Sequence, residues 1–293
     1  LFSQNKFPEL NENIFFESKT FLPEVSLKYK STSFDFLFNI VNKINKETES
    51  NSFGSAIYSY LSFIEENFGL TLEYKDYRFD IADPFKELDQ FRSTRMLPFQ
   101  NPPTVHKEHT FTLLTRYPHI VNFNDEIGFQ LDIFYSPNER TNYNFNISTA
   151  SKHFSFLLDK TNFRFVKNEN RFSFLPSFSN EFNPFFEIYF EGEYLLEKSE
   201  SLIKAALNYR SDIYYDVVSE TNKVQPLKQF TIPIYLQYLF NEKFSLKVSN
   251  ESQWILKYPK REYFFNNLIS LQTVFNSNLT IGGRLEFTTN NDE

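Results

Sequence analysis

Glu126-Ile-Gly-Phe-Gln-Leu-Asp-Ile-Phe-Tyr135 is the stretch whose reading decides the fold. Ile127, Phe129, Leu131, Ile133 and Tyr135 take every second position, with Glu126, Gly128, Gln130, Asp132 and Phe134 between them. An extended chain with this period has one apolar and one mostly polar face. The same period returns in Phe34, Phe36, Phe38 and Ile40, in Phe230, Ile232, Ile234, Leu236, Tyr238 and Phe240, and in Leu279, Ile281, Gly283, Leu285 and Phe287. Repeated along a chain, it describes many strands, each with an apolar side. A transmembrane β-barrel needs this pattern, with lipid outside and a wet or packed interior.

Composition narrows the choice. Phe accounts for 38 residues and aromatics for 19% of the 293, yet 23% are charged, so the apolar residues are dispersed rather than gathered into blocks. No run approaches the roughly 18 apolar residues of a membrane helix, whereas a strand of about 9–11 residues crosses with only alternate positions apolar. A formal charge of -7 supplies no dense basic surface for phosphates, which argues against a nucleic-acid partner. The absence of cysteine removes disulfides, thiolate metal sites and cysteine nucleophiles. Leu1 opens without a charged-then-apolar leader, which leaves a removed signal peptide or a longer product as the two readings.

The strand periods fall into hairpins. Residues 55–64 pair with 69–79, 126–135 with 143–150, 185–196 with 202–218, 230–240 with 244–256, and 263–275 with 279–287. Residues 107–117 read as extended, and residues 163–166 and 171–175 as strands flanking a tight turn at Asn168-Glu169-Asn170. Residues 1–30 read as irregular or terminal strands. Residues 80–105 form a long loop containing Pro84, Pro98, Pro102 and Pro103, in which 84–96 is a candidate short plugging helix. Pro233, inside a strong strand pattern, suits a bulge or a rim better than a central ladder. With only 6 glycines, the turns rest on Asn, Asp, Ser and Pro.

Four segments carry a resemblance: Asn67-Phe-Gly-Leu-Thr-Leu-Glu-Tyr-Lys-Asp-Tyr77, Asn101-Pro-Pro-Thr-Val-His-Lys-Glu-His-Thr110, Arg116-Tyr-Pro-His119 and Asn124-Asp-Glu-Ile-Gly128. Together they are similar to an uncharacterised family of bacterial outer-membrane β-barrel proteins, over residues 55–150. The resemblance implies fold and location but no activity. It also implies members longer than this chain, so that the chain is part of a larger barrel.

Few residues suggest chemistry. His106 and His109 are three apart in a segment read as extended, and so point to opposite faces rather than to one metal. His153 beside Ser151 and Ser155 is the one hydrolase candidate, without a G-x-S-x-G elbow to support it. Glu126, Gln130 and Asp132 on one strand, and Arg284 and Glu286 on another, lie opposite the apolar period. In a barrel they face the lumen, where charge tunes passage or merely solvates the wall.

The expectation is an all-β, antiparallel, up-and-down transmembrane β-barrel of about 12–16 strands, formed by residues 1–293 as a single domain. It is placed in the bacterial outer membrane as a pore-like or structural subunit of an envelope assembly. Its partners are the lipid bilayer and other envelope proteins; no cofactor, metal or enzymatic activity is expected. The alternatives are a soluble extracellular β-sandwich or adhesin-type binding module and an envelope hydrolase.

Overall fold

The structure is a computed structural model that describes residues 18–47, 51–79, 103–123, 125–159, 161, 164–196, 201–214, 225–241, 243–257, 262–275 and 279–289. The elements are β1 (Ser18–Phe21), β2 (Glu24–Lys30), β3 (Phe34–Glu47), β4 (Asn51–Glu65), β5 (Phe68–Phe79), α1 (Thr112–Thr115), β6 (Asp125–Asn138), β7 (Thr141–Ser151), β8 (Phe154–Asp159), β9 (Arg164–Asn170), β10 (Phe185–Leu195), β11 (Leu202–Tyr214), β12 (Gln225–Asn241), β13 (Phe244–Lys257), β14 (Glu262–Phe275) and β15 (Leu279–Thr288). Among the described residues, 13 strands form one antiparallel up-and-down sheet in the order β1-β3-β4-β5-β6-β7-β10-β11-β12-β13-β14-β15, with β2 also on β3. β8 and β9 form a separate hairpin.

β1 and β2 are one edge strand broken at Pro23. The register runs from Phe21↔Ile44 to Glu24↔Val41 without a slip, and Asn42 N–H donates to the Pro23 carbonyl at 2.9 Å. The opposite edge is β15, and the two edges do not pair with each other. At one rim consecutive strands are close in sequence, as at β4–β5, β6–β7 and β12–β13, whereas at the other β5 and β6, β7 and β10, and β11 and β12 are widely separated in sequence and only β3–β4 and β13–β14 are close.

Register divides the side chains into two faces. The residues of one face run through Leu72, Leu131, Ile147, Ile188, Leu207, Ile232, Val248, Leu271 and Leu285; those of the other through Glu73, Asp132, Asn146, Glu187, Asn208, Thr231, Gln253 and Asn266. The polar face is the buried one: Asn146, Thr231 and Gln253 are each 0% exposed, while Val25 is 65%, Leu271 49% and Leu285 69% exposed.

The sheet curls with this polar face inward. Arg116 pairs with Glu286 on β15, and His119, three residues on, lies 3.5 Å from Glu126 on β6. Three peptide units reach about 11 Å, whereas the seven strand spacings between β6 and β15 amount to about 34 Å in a flat sheet. Only strong curvature brings a central strand and the β15 edge to one short segment.

Three expectations are corrected. Residues 107–117 are not a strand: Phe111, Leu114 and Tyr117 recur every third position, α1 supplies one helical turn, and Pro118 follows. Asn168, Glu169 and Asn170 lie inside β9, not in a turn, and residues 171–175 are irregular, because β9 pairs backwards onto β8. Pro233 sits mid-strand, opposite Glu251. The β11–β12 ladder passes from Ala205↔Ile234 to Asn208↔Thr231, so the missing proline donor falls where that ladder is interrupted. The hairpins read at residues 55–79, 126–150, 230–256 and 263–287 are present. The candidate helix at 84–96 and the segment 1–17 lie outside the described residues.

Candidate functional site

The polar face does not enclose empty space at the long-loop end, because residues 103–123 lie across it. Where the segment begins, Lys75 donates to the Thr104 carbonyl, and the Tyr77 hydroxyl donates to the Pro103 carbonyl at 2.8 Å. Val105 follows, 3% exposed and with φ of 53°. That backbone region costs a β-branched residue about 1–3 kcal/mol and persists only where surrounding contacts impose it.

Further along, charge and hydrogen bonding fix the segment strand by strand. His109 Nε2 lies 2.9 Å from Glu187 on β10, which also accepts from Asn208 on β11 at 2.8 Å. Glu251 on β13 receives the N–H groups of Thr112 and Leu113 at 3.1 and 2.6 Å, satisfying free donors at the start of α1. Gln253, two residues on along the same face, donates to the Leu113 carbonyl at 2.9 Å. Apolar contacts sit between these bonds. Phe111 and Leu114 pack with Tyr189 and Ala206, Tyr117 with Leu227, Ile255 and Phe264, and Phe123 with Ala56 and Tyr77.

His119 is the link that meets two carboxylates. Its Nδ1 is 3.1 Å from Asp212 and its ring stacks on Phe185 at 4.1 Å. Burial alone would lower its pKa; Glu126 and then Asp212 outweigh burial and raise it to about 9. His106, edge-on to His119 at 5.9 Å, is moved the other way, lowered by burial and then by the charges of His119 and Lys75. The two imidazoles are thus pushed in opposite directions, His119 toward its charged form and His106 toward its neutral one.

The five residues singled out by alternation all lie on the polar face. Glu126 is buried, paired with Lys75 and accepting from the Asn122 N–H at 2.8 Å. Asp132 faces Lys107 at 3.4 Å and accepts from Asn146 at 2.9 Å. Glu286 pairs with Arg116; Gln130 is half-buried and Arg284 exposed. Gly128 is required by close approach, since a Cβ there would stand 2.8 Å from Lys75 Cε and 3.0 Å from the Thr149 carbonyl.

Alternation did not single out Lys75, His109, His119, Glu187, Asp212, Glu251 or Gln253. The available signal was a charged or amide residue recurring on the polar side of strands rich in Phe and Ile.

His153 is held differently from a triad base. Nδ1 lies 3.0 Å from Asp125 and Nε2 3.2 Å from Asp76, so both nitrogens face carboxylates and neither faces a hydroxyl. Burial opposes its charge, but Asp125 and Asp76 raise its pKa. Ser151 accepts from the Ser177 N–H at 2.8 Å, and Ser155 from the Glu169 N–H at 3.1 Å. His106 and His109 engage different partners, and among the described residues no cluster of His, Asp and Glu converges as a metal site.

A model of a family of unknown function, DUF6029, matches residues 4–290. No curated protein matches the chain.

Proposed function

Because the chain belongs to the DUF6029 family, whose function is unknown, we propose a role from the geometry: a β-barrel of the bacterial outer membrane whose polar interior is stopped by residues 103–123. The observation that carries this reading is the inversion of burial across one sheet. A soluble sheet buries its apolar face and wets its polar one; here most of the apolar face is uncovered, while amides and charges of the polar face are buried on strands from β3 to β14. Isolated soluble proteins rarely expose an apolar patch beyond about 300–600 Å².

Two further features support a bilayer around it. On the outer face, aromatic pairs follow the short-turn rim: Phe34–Phe63 at 4.9 Å, Tyr143–Phe190 at 6.0 Å, Phe240–Phe244 at 5.0 Å and Phe244–Phe275 at 5.2 Å. A second level on the same face carries Phe230–Trp254 at 5.8 Å and Trp254–Phe265 at 5.2 Å. Phe244 and Trp254 on β13, and Phe265 and Phe275 on β14, are separated by ten residues, about 33 Å along a strand. At the tilt of about 40° usual for such barrels this becomes about 25 Å, the height of a lipid-facing band between aromatic girdles. The unequal rims fit the short periplasmic turns and long outer loops of these proteins.

Lipid requires every backbone donor to be paired. β1–β2 and β15 run in opposite directions and carry the same alternation, so each presents the edge that an antiparallel partner needs.

The inner segment makes the resting interior closed at its long-loop end, and the role is that of a stoppered pore or a membrane-embedded subunit rather than an enzyme. The test is purification from the membrane fraction followed by gel migration with and without boiling. A heat-modifiable band that requires detergent is expected; monodisperse behaviour in plain buffer would overturn the reading.

A further inference from the structure

Residues 152–184, between β7 and β10, form an arm seated on the outer face at the long-loop rim. Beneath it Asp76, Ile127 and Ser151 are each 1% exposed, although their register places them on the apolar face that is uncovered elsewhere. The arm is fixed in place. Lys152 N–H donates to the Phe182 carbonyl at 2.7 Å, Arg171 N–H to the His153 carbonyl at 2.9 Å, and Arg78 from β5 donates to the Ser173 carbonyl. His153, clamped between Asp125 and Asp76, pins its base to the sheet.

A segment held so firmly turns its greasiest residues away from the protein. Phe172 is 79% exposed, Phe178 73%, Leu175 62% and Phe174 58%. The Arg78 guanidinium lies 4.6 Å from the Phe172 ring and 5.7 Å from that of Phe174, and Arg171 donates to the Leu175 carbonyl. Aromatic rings beside guanidinium groups suit the headgroup boundary, where one end of a side chain is in hydrocarbon and the other among phosphates. Position agrees with chemistry, because the arm adjoins the outward Tyr74–Phe129 pair, with rings 4.8 Å apart, on the strands it covers.

We propose that this arm is an interfacial anchor, with Phe172, Phe174, Leu175 and Phe178 lying in the headgroup–acyl boundary of the bilayer that surrounds the sheet. The inference rests on the membrane reading and adds a lipid-binding surface outside the barrel wall. It is continuous with the apolar outer face and has cations beside it, Arg171 in the arm and Arg78 on β5, so its occupant is lipid rather than a second protein.

The chain holds a single tryptophan, Trp254, on the outer face and 43% exposed, which separates the two ideas. The full chain is reconstituted into phosphatidylcholine vesicles brominated either near the headgroup end or near the tail of the acyl chains. Native Trp254 reports on the wall; a Phe178→Trp variant in a Trp254→Phe background reports on the arm, and Phe172→Trp repeats the measurement at a second position. The expected result is a comparable fractional loss of emission at wall and arm, the arm quenched more by shallow bromines than by deep ones. Quenching of Trp254 with none at either arm position, whether the arm emission is water-like or blue-shifted by a protein contact, overturns the anchor and leaves the barrel standing. Absence of quenching at all three positions overturns both.

Discussion

At the scale of single residues, buried imidazoles and carboxylates hold the interior together. His119 joins the inner segment to β6 through Glu126 and to β11 through Asp212, while Lys75 and Arg210 approach the same carboxylate oxygens and His106 lies edge-on. Its pKa is raised from an ordinary 6.5 to about 9. The stabilisation from its charge is therefore complete below about pH 6.5 and is lost as pH rises through about 9. We expect the thermal midpoint to fall between pH 6.5 and 9, and to be lower and flatter in His119→Ala. That substitution removes a cation shared by two buried carboxylates, but Glu126 keeps Lys75 and Asp212 keeps Arg210, so the cost stays below the ~3–5 kcal/mol of stranding a buried charge outright. A wild-type midpoint that stays level across this window would contradict the assignment. Glu126 and Asp132 were legible in the sequence as polar beats in an apolar strand. Their partners were not, because Lys75, His119 and Asn146 are neighbours of those carboxylates only after strands pair and the inner segment folds back.

At the scale of elements, the inner segment is the part whose reading changed most. Residues 107–117 carry enough apolar and aromatic residues to look extended, yet prolines at 102, 103 and 118 deny them ladder donors on both sides. A segment without ladder partners must satisfy its backbone elsewhere, and Glu251 and Gln253 on β13 do so for α1. Glu251→Ala removes the acceptor of two N–H groups, one of them wholly buried, at an expected cost of about 1–3 kcal/mol for each donor left unpaired. The strands remain, so the consequence is local. Protease cleavage within residues 103–123 is expected to rise severalfold while the circular-dichroism spectrum keeps its β signature. In planar bilayers the same variant is expected to show more frequent or larger ion conductance than wild type, and identical conductance would remove the segment from its role as a stopper. The hairpins, by contrast, were legible because alternation and turn residues are local signals: Glu66-Asn67 and Glu139-Arg140 close registers that the flanking residues had already set.

At the scale of the whole molecule, the proposed barrel has two solvents to answer to. Ile269 lies on the outer face between Phe265 and Phe275 and is 44% exposed. On a soluble protein, an exposed Ile→Arg change is close to neutral. On a lipid-facing strand near the bilayer midplane it costs about 2–4 kcal/mol. Ile269→Arg is expected to lower folding yield into vesicles and the denaturant midpoint, while Gln130→Arg on the polar face leaves both nearly unchanged. Equal tolerance at the two positions would favour a soluble β assembly.

The sequence by itself determined the strands, their faces and most of their pairings, because a period of two is written into consecutive residues and needs no distant partner to be read. It also determined that one face is apolar along nearly every strand. Only the tertiary structure decided which face is inside. Alternation is symmetric between a sheet wrapped around its apolar side and one wrapped around its polar side, and the difference lies in curvature and in what fills the concave surface. Residues 103–123 make that choice, since their histidines, their backbone donors and Arg116 find acids and amides on the polar face from β6 to β15. Those contacts join residues up to 170 positions apart, as between Arg116 and Glu286, and no local pattern in the chain encodes them.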